Sequence, residues 1–224
     1  MNEIVIVITG DAPLDERALA TIPSGAIVIA ADGALDHALA AGLQPAALVG
    51  DLDSVSDAGL EWATAHSTIE RHPPDKEHTD TELALSTAAD LNPAKVVLIS
   101  GGGDRLDHTF AAIGALGHPS LTSVPQLEAW WGGQQVSVVH GPGRVRLELP
   151  VGTTISLLAL HGSCGGVSID GVRWPLLAAD LPAAVGLGVS NETTDPIVEV
   201  TLTSGVLTVF VNSHLTPPPE SEDS

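Results

Sequence analysis

The chain has 224 residues, with 28 acidic and 8 basic side chains and a formal net charge of -20. So few Lys and Arg argue against a nucleic-acid binder, which needs basic stripes against phosphate, and against docking on an anionic membrane. With 44% hydrophobic residues the chain can bury a proper core rather than stay disordered. The opening MNEIVIVITGD has no basic n-region, and its apolar run, Ile4 to Ile8, is too short for a signal peptide or for a span of roughly 20 residues. It reads as a buried first strand. A single cysteine, Cys164, excludes an internal disulfide and a cysteine-rich zinc site, and a cytoplasmic location fits best.

Ala26 to Ala31 is a second strand, followed by helical spacing from Leu35 to Ala41 that stops at Gly42. Ala46 to Val49 is a third short strand. Thr79 to Leu91 is the best helix signal: Thr79 or Asp80 can cap it, Leu83, Ala84, Ala88 and Leu91 form its apolar face, and Pro93 ends it. Lys95 to Ser100 is another strand, followed by three glycines. Such alternation predicts βαβ units and a mostly parallel sheet covered on both faces. After about residue 120 the rhythm changes. Gln135 to His140, a Gly-Pro-Gly turn and Arg144 to Leu149 read as a hairpin, and short strands follow at Thr153 to Leu160, Gly165 to Ile169, Gly186 to Ser190, Val198 to Thr203 and Val206 to Val211. The expected class is α/β plus all-β: an N-terminal Rossmann-like parallel-sheet domain (1–125), a C-terminal β-sandwich (126–215) and a disordered Pro-rich acidic tail (216–224).

In such a sheet, ligands bind beyond the carboxyl ends of the strands. Four polar motifs fall there: Asp32-Gly33, Gly50-Asp51-Leu52-Asp53-Ser54, the run Asp75-Lys76-Glu77-His78-Thr79-Asp80, and Gly101 to His108 with Arg105 and Asp107 inside it. Carboxylates crowded at one rim repel each other, and a hard divalent cation such as Mg²⁺ relieves that cost. Asp51 and Asp53, one residue apart, suit one ion; Asp, Gly and Ser are also ordinary surface-turn residues. Lys76 and Arg105 are scarce cations placed among acids, suited to phosphate near a helix start or simply to pairing with a neighbouring Asp. No P-loop, GxGxxG, GxSxG, HExxH or CxxC pattern is present. In the second half Trp174, in Gly171 to Leu176, can stack on a heteroaromatic or cationic ring or fill the core, and Ser190-Asn191-Glu192 ends a strand with polar side chains.

Taken together, ADG at 31–33, GDLDS at 50–54, DKEHTD at 75–80, GGGDRLDH at 101–108, GVRWPL at 171–176 and SNE at 190–192 resemble the thiamine pyrophosphokinase family over nearly the whole chain. The resemblance implies Mg²⁺-dependent transfer of pyrophosphate from ATP to the hydroxyl of thiamine, releasing AMP, by a homodimer with active sites at the subunit interface. Carried onto matching positions, it implies Asp51, Asp53 and Glu77 as metal ligands, with Asp51, Asp53, Lys76 and Asp80 catalytic. Asp32, Gly33, Asp75, Lys76, Thr79, Arg105, Asp107 and His108 fall at the ATP site, and Trp174, Ser190 and Asn191 at the thiamine site. Two positions depart from the family pattern: Glu77 stands where Asp is usual, and Ala34 where a second Gly often follows ADG. A pyrophosphokinase for another heterocyclic alcohol of the pterin type, a phosphatase built on Asp51-Leu52-Asp53, and a non-enzymatic nucleotide or thiamine sensor are the alternatives.

Overall fold

The structure is a computed structural model that describes residues 3–102 and 105–212. The tail 216–224 and two members of the fourth motif, Gly103 and Asp104, lie outside the described residues.

The first half alternates strands and helices. Strands β1 (Ile4–Thr9), β2 (Ile27–Ala31), β3 (Ala47–Gly50), β4 (Thr68–Arg71), β5 (Lys95–Ser100) and β6 (Gln126–Trp131) are interleaved with helices α1 (Glu16–Ala20), α2 (Ala34–Ala40), α3 (Asp57–His66), α4 (Asp80–Asp90) and α5 (Leu106–Leu116). The six strands are parallel, in the order β6-β5-β1-β2-β3-β4. Their unbroken apolar runs follow from burial on both faces. Val5, Val7 and Leu98 join a core with α4 and α5, whereas Ile6, Ile8 and Ile99 face α1 and α2. From β1 the chain winds outward to β4, then crosses back through α4 to β5 on the other side of β1. The order therefore reverses between β1 and β5, where a crevice opens.

Helix α4 is the crossover. Thr79 Oγ1 accepts the Glu82 backbone N–H and the Glu82 carboxylate accepts the Thr79 N–H, a reciprocal cap written locally in the sequence. Its buried Ala84, Leu85 and Ala88 let the helix lie close on β1, β2 and β3. Leu85 alone, essentially inaccessible, is worth about 1.5–3 kcal/mol of burial.

The second half is all strand: β7 (Gln134–His140), β8 (Gly143–Glu148), β9 (Thr154–Leu158), β10 (Cys164–Asp170), β11 (Leu176–Leu181), β12 (Gly188–Glu192), β13 (Ile197–Leu202) and β14 (Val206–Asn212). Strand β7 pairs antiparallel with β6, so the parallel sheet continues without a break into β14, β9 and β12, making ten strands in all. A separate four-stranded antiparallel sheet, β11-β10-β13-β8, covers this extension. Val139, Ile155, Leu157 and Val209 from the large sheet and Leu147, Val167, Val198 and Val200 from the small one share one core.

The expected hairpin across Gly141-Pro142-Gly143 does not form. Both sides of β7 are already paired, with β6 and β14, so β8 leaves the sheet and pairs with β13 instead. The alternation of β8, with Leu147 buried and Arg144, Arg146 and Glu148 exposed, suits a strand with one wet face. Helices α3 and α5 and strands β4, β6 and β11 were not marked by sequence pattern. Helix α5 shows why: apolar Leu106 and Phe110 are 65% and 61% exposed, so the segment lacks a polar face to set its period.

Candidate active site

Three carboxylates converge where the strand-end rule puts a ligand. Asp32 follows β2, Asp51 follows β3 and Asp80 opens α4, and one oxygen from each lies within 4.8 Å of the others. Gly50 makes this convergence possible. A side chain there would come 2.8 Å from Asp80 Oδ1 and 3.0 Å from the Asp32 Cβ. Asp32 itself adopts a left-handed conformation, φ 47°, which Asp tolerates better than most residues. Its carboxyl is pushed above the usual range, first by burial and then by the charges of Asp80 and Asp51, against opposing hydrogen bonds. Asp32 Oδ1 and Asp80 Oδ1 are buried and have no hydrogen-bond partner among the described residues.

Lys76 crosses the group. Its Nζ donates to Asp51 Oδ2 at 2.8 Å and lies 3.0 Å from Asp80 Oδ1, a contact close enough for ion pairing but without hydrogen-bond geometry. Burial works against the Lys76 ammonium, yet the hydrogen bond to Asp51 and the nearby Asp80 carboxylate leave its pKa raised. The bond from Lys76 holds the Asp51 carboxyl below its ordinary value. One cation therefore answers three carboxylates, and a net negative charge remains for a metal ion. The buried Asp32 Oδ1, which has no hydrogen bond, and Asp80 Oδ1, which has only the Lys76 contact, are hard donors that fit a hard divalent cation.

From this group a cleft of about 740 Å³ runs across the strand ends toward α5. Asp32, Gly33, Lys76, Thr79, Asp80, Arg105 and His108 line it, as expected from sequence. Its floor includes Thr9 and Ser100, which end β1 and β5 at the point of reversal; sequence reading missed both, although the strand-end rule marks them. Thr9 Oγ1 is 2.6 Å from Thr81 Oγ1, tying the end of β1 to α4.

Other expected residues stand apart. Asp53 is exposed and accepts from Ser54 Oγ, while its backbone N–H donates to Asp51 Oδ1. Glu77 and Asp75 are exposed and outside the three-carboxylate group. Asp107 is exposed at the start of α5 and engages Arg105 with both oxygens, at 3.0 and 2.7 Å, which holds its carboxyl far below the usual range. Ala34 is a buried first residue of α2 and is not among the residues with positive φ, so glycine is not needed there.

Trp174 lies far from this cleft. Trp174 is 56% exposed, which removes the reading of it as core filler, and the Arg173 guanidinium sits 4.9 Å from the ring centroid. Asn191 is buried, and its side chain bonds the backbone of Trp174 rather than pointing to solvent. Ser190 is exposed with φ 61°, and its N–H donates to Ser156 Oγ. Strand β12, which carries both polar residues, is the last strand at one end of the large sheet. Seven interstrand steps, roughly 34 Å along the sheet, separate it from β2 and Asp32.

Comparison with protein families finds the catalytic domain of thiamin pyrophosphokinase over residues 20–125 and the vitamin B1 binding domain of thiamin pyrophosphokinase over residues 144–207. The chain belongs to the thiamin pyrophosphokinase family. It is a transferase that pyrophosphorylates thiamine. The first match holds every member of the carboxylate group, and the second holds Trp174 and Asn191. Among solved structures, thiamine pyrophosphokinase from Bacillus subtilis is similar at 20% identity and a TM-score of 0.80, over 95% of this chain and 100% of that one. That from Geobacillus thermodenitrificans gives 21%, 0.78, 95% and 99%, and that from Candida albicans 14%, 0.74, 94% and 88%. At these identities the structures speak for the fold alone. A search of curated protein sequences returned no match. No helix among the described residues is long and apolar enough to cross a membrane.

Proposed function

We propose that the chain transfers pyrophosphate from ATP to the hydroxyl of thiamine, giving thiamine diphosphate and AMP, with Mg²⁺ held by Asp32, Asp51 and Asp80. The observation that carries this reading is the convergence of three carboxylates answered by one cation, with the buried Asp32 Oδ1 left without a hydrogen bond, at one end of a cleft that crosses the point of strand reversal. The ion would neutralise charge on the phosphate oxygens, the main electrostatic demand of phosphoryl transfer. Lys76, fixed between two carboxylates, presents a cation to the same oxygens, and Arg105 and His108 stand further along the cleft. Bond formation joins the thiamine hydroxyl oxygen to the β-phosphorus, the bond from that phosphorus to the bridging oxygen of AMP breaks, and the hydroxyl proton passes to solvent. We assign Asp80 to the ion and to Lys76 rather than to the hydroxyl proton. Asp53, Glu77 and Asp75 are assigned no contact with the metal.

The N-terminal half is read as a Rossmann-like nucleotide-binding unit and the C-terminal half as a thiamine-binding β-sandwich. Trp174, exposed at a turn beside Arg173, is the ring on which the thiamine stacks, and Ser190 lies next to it in that site. Within one chain Trp174 sits beside β12, seven strands along the sheet from Asp32, which supports a homodimer that brings Trp174 of one chain to the carboxylates of the other. Exposed Leu177, three residues after Trp174, and exposed Leu187, just before β12, suit such an interface. A cytoplasmic setting accords with an ATP-using enzyme whose one cysteine, Cys164, is a buried free thiol. Incubation with ATP, thiamine and Mg²⁺ should yield AMP and thiamine diphosphate in equal amounts by mass spectrometry. ADP, or phosphate released without thiamine, would refute it.

A further inference from the structure

Trp130 and Trp131 end β6 side by side, and the two rings go opposite ways. Trp130 packs on the α1 and α2 face of the sheet, Trp131 on the face covered by α4 and α5. Of the two, only Trp131 lines the cleft, where it is half-buried; Arg105, His108, Thr109 and Ala112 of the α5 end line the same cleft, and Trp131 packs on the core cluster that includes Ala112. It pairs in register with Ser100, and the chain turns away immediately at Gly132, whose N–H donates to the Ser100 carbonyl.

The cleft is therefore unlike at its two ends. Along the strand ends, Asp51 just after β3, Asp32 just after β2, and Thr9, Ser100 and Trp131 closing β1, β5 and β6 follow one another. Carboxylates and Lys76 occupy one end; the other carries the Trp131 ring together with Ala111 and Ala112 and the polar side chains of Arg105 and His108. Three interstrand steps, about 14 Å, separate Asp32 from Trp131. A ligand that spans this distance must carry oxyanions at one end and a flat, apolar-faced group at the other. Resting on the ATP reading above, we infer that Trp131 is the platform for the purine base. This orients the nucleotide along the cleft, with the phosphates over β2 and β3 and the base over β6. Stacking of this kind is tolerant of base identity, because every base has a π-face. Thiamine is left to Trp174.

The test measures equilibrium binding of AMP and of inorganic tripolyphosphate, each with Mg²⁺, to the full chain and to Trp131→Leu and Trp131→Phe. Loss of a stacking ring should weaken AMP roughly tenfold in Trp131→Leu, with most of it recovered in Trp131→Phe and tripolyphosphate unchanged throughout. An unchanged AMP affinity in Trp131→Leu overturns the proposal. So does equal weakening of tripolyphosphate, because Trp131 would then shape the whole cleft. Wild type that binds tripolyphosphate but not AMP overturns the platform while sparing the phosphate end; wild type that binds neither removes the ATP reading, and the platform with it. Should Trp131→Leu fail to fold, fluorescence decides: AMP should quench tryptophan emission in wild type and much less in Trp131→Phe, and equal quenching overturns the assignment.

Discussion

The side chain of Asn191 holds both backbone polar groups of Trp174: its Oδ1 accepts the Trp174 N–H at 3.1 Å and its Nδ2 donates to the Trp174 carbonyl at 2.7 Å. The same Oδ1 also accepts the Glu192 N–H at 2.9 Å. Asn191 thus fixes the backbone that carries the exposed ring. Asn191→Ala should cost about 1–3 kcal/mol of stability, the range for leaving buried groups unpaired, and should raise the KM for thiamine. Denaturant titration alongside kinetics checks both. Intact stability with a raised thiamine KM would mean that Asn191 binds thiamine directly.

Trp174→Ala should behave differently. The ring is largely in solvent, so the melting temperature should hardly move. The KM for thiamine should rise several-fold, as expected for loss of a ring–ring or cation–π contact, and the KM for ATP should stay as it is. An unchanged thiamine KM would remove Trp174 from the site.

Asp32 offers a prediction with a definite sign. Its pKa is raised on folding, first by burial and then by its acidic neighbours. Below the unfolded value of about 3.9 the group is protonated in both states and costs nothing. As the pH rises through the folded pKa, the native state gives up a proton it holds more tightly than the unfolded chain, and stability falls. At pH 7 without divalent ions, Asp32→Asn should therefore melt at a higher temperature than wild type, while losing turnover. Adding Mg²⁺ should raise the melting temperature of wild type more than that of Asp32→Asn. A destabilised Asp32→Asn in metal-free buffer would contradict the geometry described.

Asp51→Asn should abolish turnover and leave Lys76 with only Asp80 as a partner. Co-expressed Asp51→Asn and Trp174→Ala chains then test the shared site. In a symmetric dimer whose sites take Asp51 from one chain and Trp174 from the other, each mixed dimer regains one intact site. Random mixing should give about a quarter of wild-type activity at low thiamine. Activity no higher than the sum of the two variants measured separately would place each site within one chain.

Local signals were the legible part of this molecule. The cap at Thr79 and Glu82 lies within four residues, and the strands at β1, β2, β3 and β5 are short apolar runs that need no distant partner to be recognised. The strand-end motifs pointed to the rim where three carboxylates and a cleft meet, because parallel topology brings the strand ends to one edge. Which acids converge was not legible. Asp51 and Asp53 look equivalent in sequence, but the turn after Gly50 turns only the first toward Asp80, and Asp32 joins them from another strand. The Gly-Pro-Gly turn misled for the opposite reason: a strong local hairpin signal was overridden by distant strands competing for β7. Trp131 gave no sign of its position, because the cleft that it lines is built from residues far away in the chain.

The unbroken pairing from β4 to β12 has a mechanical consequence. Two halves joined by a linker could swing and clamp a substrate, but two halves that share hydrogen-bonded strands at β6 and β7 have no joint to bend. The sheet acts as a ruler of fixed length between its acidic end and its aromatic end. Any closing motion around substrate must come from the segments that cap the strand ends, such as residues 72–79, or from one ruler sliding against another.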